Sequence, residues 1–163
     1  MHTLQITLRS VFLLLGIVLS SAAQAQKATD FNKDGDGLFV DGYDLVSYLN
    51  QKEAVEGKKE NTVTYQGASF RFSTAANKKL FAADPEKYLP AYGGWCAFAM
   101  GENGEKVEVN PKTFKIIDGK TYLFYNKFFT NTLTSWNKNE AILKAKADAN
   151  WKNKFHSGIV ANK

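Results

Sequence analysis

The chain has 163 residues, 44% of them hydrophobic and 13% aromatic, with 21 Lys+Arg against 16 Asp+Glu for a net charge of +5. That is enough apolar material for one domain with a real core and too short a chain for two comfortable ones. The single cysteine excludes an intramolecular disulfide, and basic residues scattered along the chain rather than gathered in blocks argue against a nucleic-acid partner.

At the N-terminus, Arg9 is the one charged side chain before an apolar run over 11–19, which leads into small residues and Ala23, Gln24, Ala25. This is the pattern of a secretory signal cleaved near Ala25, and the run is shorter than the roughly 20 apolar residues of a spanning helix. The expected product is a periplasmic or secreted protein without a stable membrane anchor. Removing 25 of the 163 residues leaves 138 and lowers Lys+Arg from 21 to 20 against 16 acids, a net charge of +4. His2 and Met1 leave as well, so the mature chain keeps Cys96, His156 and Met100 as its only residues of those types. A structural zinc site of Cys and His ligands and a blue-copper site with two histidines are thereby excluded.

Residues 26–37 read as a flexible acidic lead-in, 38–156 as the domain and 157–163 as a tail. Leu38 to Val40 suggests a short strand, and Asp44 is placed to cap a helix whose buried face is Leu45, Val46, Tyr48 and Leu49. Segments 62–65 and 69–72, separated by Gln66, Gly67 and Ala68, predict a hairpin. Ser73 or Thr74 opens a helix with Leu80 and Phe81 facing inward, Pro85 starts another turn of helix, and Pro90 ends it. Tyr92, Gly93 and Gly94 permit an unusual backbone before 95–100, which is compatible with helix or strand. Strand-type residues at 107–109, 112–117 and 120–125 predict a second hairpin turning at Asp118 and Gly119. From Asn139 on, Leu143, Ala147, Trp151 and Phe155 recur every fourth residue among lysines, which predicts an amphipathic closing helix. The expected fold is α+β, with antiparallel hairpins, helices packed on them and that helix closing the core.

Several stretches carry a resemblance. They are Gly42 to Tyr48; Tyr65, Gln66, Gly67 with Phe70, Arg71, Phe72, Ser73; Phe81 with Asp84 to Tyr88; Tyr92 to Ala97; Asp118 to Tyr125; and Ala147 to Trp151. In this order they make the chain resemble the exported YHS-domain proteins of bacteria over nearly its whole mature length. The resemblance implies a metal association, because heavy-metal members of the wider family carry a cysteine pair after the first hairpin and at the head of the next helix. Here those positions look like Ser73 and Asn77, so the thiolates that select a soft ion are missing.

Three candidate sites remain. Cys96 and Met100, four residues apart behind the glycine pair, offer soft sulfur ligands for a copper-type ion, with His156 completing the set if the last helix folds back; buried packing is the competing use of both sulfurs. Asp30, Asn32, Asp34, Asp36 and Asp41 fall at positions 1, 3, 5, 7 and 12 of a calcium-loop pattern, with Gly35 at position 6. Position 12 is Asp rather than Glu and no incoming helix fits, so the residues favour a solvated turn. Phe124, Tyr125, Phe128, Phe129 and Trp136 supply either core or the wall of an apolar-ligand pocket. The functional expectation is a non-catalytic binding protein for a metal ion or small ligand near Cys96. The alternatives are a cysteine-dependent redox or nucleophilic enzyme and a structural or interaction module without a small-molecule site.

Overall fold

The computed structural model describes residues 30–155; the expected signal segment, the 157–163 tail and His156 lie outside the described residues. Within that span the fold is α+β. Asp44 does cap α1 (Leu45–Asn50): its Oδ1 accepts from the backbone N–H groups of Val46 at 2.9 Å and Ser47 at 3.3 Å. Leu45, Val46 and Tyr48 are buried and Leu49 is partly so. The strand expected at Leu38 shrinks to bridges from Leu38 to Ser69 and from Phe39 to Lys33, because Val40, Asp41 and Gly42 turn through positive φ in a 3-10 turn.

β1 (Lys58–Tyr65) and β2 (Ala68–Phe72) pair antiparallel with Tyr65 opposite Ala68, so the turn is Gln66 and Gly67 alone. Both turn residues have positive φ, 46° and 75°, the handedness that matches the twist of a two-residue hairpin. The inner face of β2 delivers Phe70 and Phe72, which meet Phe81 with ring centroids 4.9 Å apart. Phe81 comes from α2 (Ala75–Ala83), whose N-terminus is capped by the Thr74 hydroxyl oxygen. Leu80, expected inside, is 43% exposed: only one side of this short helix meets the sheet, and Phe81 occupies it. Pro85 starts α3 (Pro85–Tyr88), and the Lys120 ammonium donates to the carbonyls of Glu86 and Leu89 at its C-terminal end.

After the 3-10 turn Ala91–Gly94, Trp95 and Cys96 are extended and α4 (Ala97–Glu102) follows. β3 (Asn110–Ile117) and β4 (Lys120–Phe124) form the second hairpin around Asp118 and Gly119, at φ 50° and 75°. The strand character expected at 107–109 is not realised, although the Val107 carbonyl accepts from Cys96 N–H at 3.0 Å. A third hairpin pairs β5 (Asn126–Lys127) with β6 (Thr130–Asn131) and runs into α5 (Thr132–Lys138), capped by Asn131. The three hairpins each pair within themselves.

α6 (Glu140–Phe155) closes the domain with Leu143, Ala147 and Trp151 buried. It crosses α4 at backbone contact. A Cβ on Gly101 would lie 2.5 Å from the Leu143 carbonyl oxygen, so only glycine lets the two helices approach this closely. Lys154 then donates to the carbonyls of Asn103 and Gly104 beyond the end of α4. Two apolar clusters result. One gathers Phe39, Val46, Phe70, Phe72, Phe81 and Leu123; the other gathers Met100, Phe124, Trp136, Leu143, Ala147 and Trp151.

Candidate functional site

Ser73 and Asn77, the positions at which metal ligands were to be expected, sit in a hydrogen-bonded knot. Asp44 has no exposed surface, and its Oδ2 accepts from Ser73 N–H at 2.8 Å, the Ser73 hydroxyl at 2.6 Å and the Asn77 amide at 2.8 Å. With the two cap bonds, five donors surround one carboxylate, which satisfies a buried charge without any cation. Ser73 and Asn77 spend their donors on Asp44 and offer no sulfur. This site does not fit a soft metal ion.

The acidic segment is not a separate lead-in where it is described, since Asp30, Phe31 and Asn32 are buried. Three consecutive residues with positive φ, Tyr92 at 54°, Gly93 at 61° and Gly94 at 84°, shape a cradle for it. Asn32 N–H donates to the Gly93 carbonyl at 2.8 Å and its side-chain amide to the Gly94 carbonyl at 3.1 Å, while Trp95 Nε1 donates to the Asp30 carbonyl at 2.7 Å. The tight glycine turn therefore serves to dock this segment. Asp30 Oδ1 faces the Lys106 ammonium at 3.1 Å, and Asp34 Oδ1 accepts from the N–H groups of Asp36 and Leu38 at 3.0 and 2.8 Å. Of the five expected calcium ligands, Asp30, Asn32 and Asp34 bond to separate protein partners, with Asp30 Oδ2 left buried and unpartnered, while Asp36 and Asp41 are exposed, Asp41 in the 3-10 turn at φ 52°. Among the described residues no group of three or more His, Cys, Asp or Glu is placed to hold a metal ion.

Cys96 and Met100 are both fully buried, but they belong to the two different apolar clusters. The thiol is occupied. Its Sγ accepts from Tyr125 N–H at 3.4 Å and lies 3.5 Å from Thr132 Oγ1. The Thr132 hydroxyl donates to the Tyr125 carbonyl at 2.9 Å, which leaves the thiol proton to go to Thr132 Oγ1. Thr132 N–H also donates to that carbonyl, at 3.0 Å. Cys96, Tyr125 and Thr132 thus close a ring of hydrogen bonds across the neck of the β5–β6 hairpin, and Asn110 and Thr113 of β3 tie the same hairpin down through Asn126.

What this clasp holds out is the feature that sequence reasoning missed. The aromatic stretch divides. Phe124 and Trp136 are fully buried and Tyr125 is half-buried, whereas Phe128 and Phe129, expected in a core or a pocket wall, are 86% and 113% exposed. They are the two turn residues between Lys127 and Thr130, and both have positive φ, 50° and 66°. A left-handed backbone costs about 1–2 kcal/mol per non-glycine residue, so this turn spends stability to display two phenyl rings in water. The polar flanks Asn126, Lys127, Thr130 and Asn131 were the available signal.

Elsewhere, the Tyr92 phenol donates to Asp148 at 2.8 Å; burial first, and then that carboxylate, push its pKa above the ordinary tyrosine range. Tyr48, whose phenol donates to the Pro111 carbonyl, is also pushed up, chiefly by burial. Both therefore act as neutral donors in the fold. No described helix is long and apolar enough to cross a membrane. No family model matches the chain, and neither a curated protein nor a solved structure matches it.

Proposed function

We propose that the protein is a non-catalytic interaction module that presents the Phe128–Phe129 hairpin tip, with Cys96 as the clasp of that hairpin rather than as a ligand or nucleophile. The observation that supports this reading most is the closed ring of Cys96, Tyr125 and Thr132 at the hairpin neck, with the sulfur fully buried. A nucleophilic or redox thiol has to meet its substrate, and a copper ligand needs its partner sulfur free to converge on the same ion. Cys96 is turned instead toward the backbone that positions an exposed aromatic pair. The resemblance to exported YHS-domain proteins is compatible with a non-enzymatic role and leaves its metal association without suitable residues at Ser73 and Asn77.

Anaerobic Cu(I) titration compares the protein with its Cys96→Ala, Met100→Ala double variant. The same weak, non-stoichiometric uptake by both is expected. Stoichiometric binding by the parent that the double variant loses would overturn the reading and restore the copper site, with His156 as its natural third ligand.

A further inference from the structure

We infer that the Phe128–Phe129 tip docks the protein on an anionic lipid surface, an inference that rests on the interaction-module reading and names its partner. Three observations converge on it. The rings are both exposed, on the two consecutive residues that form the apex of a two-residue turn. Two side chains offer far less area than the roughly 1,000 Å² of a specific protein interface. A bilayer interface asks for no shape complementarity and takes up small aromatic protrusions together with basic neighbours.

Charge supplies the second observation. From residue 108 to 140 the chain carries Lys112, Lys115, Lys120, Lys127 and Lys138 against Glu108, Asp118 and Glu140, the last of these paired with Lys115. Lys115 and Lys120 are engaged with protein acceptors, while Lys112, Lys127 and Lys138 are exposed. Lys127 adjoins the rings, and Lys112 belongs to the strand segment to which Asn126 is bonded. Such lysines lie at headgroup level, attracted to anionic lipid, while the rings enter the apolar boundary below.

The third is backbone economy. Asn-Gly or Asp-Gly is the residue pair this turn type prefers, and the other two hairpins use Gln-Gly and Asp-Gly. Placing Phe-Phe here is unfavourable for the fold, and contacts of the rings outside it would offset that cost. The β5–β6 pairing hydrogen-bonds the backbone on either side of the tip, so docking needs only the two rings to leave water while the backbone of Phe128 and Phe129 stays at the hydrated interface.

The test uses the full chain with vesicles of phosphatidylcholine alone or mixed equally with phosphatidylglycerol. The parent should sediment with the mixed vesicles at low salt, less with the neutral ones, and be released by added salt. The Phe128→Asn, Phe129→Gly variant should bind the mixed vesicles more weakly by on the order of 10-fold or more. Its melting temperature should match or exceed that of the parent, since Asn-Gly suits the turn, so misfolding cannot account for the loss. In a Phe129→Trp chain, brominated acyl chains should quench emission beyond the level seen with the parent's own tryptophans, which places the tip itself in the bilayer. Equal sedimentation of parent and variant, or no added quenching, would overturn the inference. Self-association abolished by the same variant without vesicle binding would overturn it in favour of a second copy. None of these readouts involves Cys96, so a failure here leaves the Cu(I) test to decide the broader reading.

Discussion

Replacing Asp44 with alanine should destabilise the domain by about 3–5 kcal/mol, because it removes the acceptor for five donors at once, three of them buried and the two of Ser73 partly so. The lost cap alone is worth about 1 kcal/mol. The larger part comes from leaving the buried Asn77 amide and the partly buried Ser73 donors without their acceptor. Asp44→Asn should rescue little, since its amide would present N–H groups to N–H groups. Asn77→Ala, which leaves the carboxylate four other donors, should cost only about 1–2 kcal/mol. Urea unfolding of the three variants checks the order. A loss below about 1 kcal/mol for Asp44→Ala would mean that the knot is solvated and that positions 44, 73 and 77 are free to serve a ligand.

Gly93→Ala should cost about 2–5 kcal/mol, combining a left-handed backbone with a Cβ that has nowhere to go. That atom would lie 2.5 Å from the Asp30 carbonyl oxygen and 3.1 Å from the Trp151 ring. The backbone oxygen cannot yield without undoing the bonds that dock the 30–32 segment, so proteolysis near Asn32 should accelerate together with the loss of stability. Gly35→Ala is the control: a Cβ there meets nothing within 4 Å, and the change should be close to neutral. Equal effects from both would show that the cradle at residues 92–94 does not hold the segment.

Local chemistry made much of this fold legible beforehand. An aspartate ahead of an apolar run announced the α1 cap, and glycine in the second turn position announced both larger hairpins. What the sequence could not show was which distant groups an aspartate would gather: Ser73 and Asn77 lie 29 and 33 positions from Asp44. Lead-in residues 30–32 read as solvated because they are mostly polar; their burial depends on carbonyls presented by a glycine turn some 60 residues later. Phe31 within the acidic stretch was the clue to it. Cap chemistry at Asn131 could have revealed α5. The Phe128–Phe129 turn stayed hidden for the opposite reason. Phenylalanine predicts strand or core, and here the local preference is overridden for display. Met100 and Cys96 have helical spacing in sequence, yet the thiol sits at the N-cap of α4 and is drawn toward the hairpin neck while Met100 enters the other cluster.

The measurement that most directly tests the central claim, that Cys96 is a sealed clasp, is the rate at which an alkylating reagent labels the native protein. Sealed in its ring, the thiol should react only when the domain opens, so labelling should be slower than in urea by a factor set by the stability of the fold. Asp44→Ala, remote from the sulfur in the hydrogen-bond network, should speed native labelling by the same factor by which it destabilises. Rapid labelling of the folded parent, unchanged in Asp44→Ala, would contradict the account and make Cys96 an accessible, reactive group.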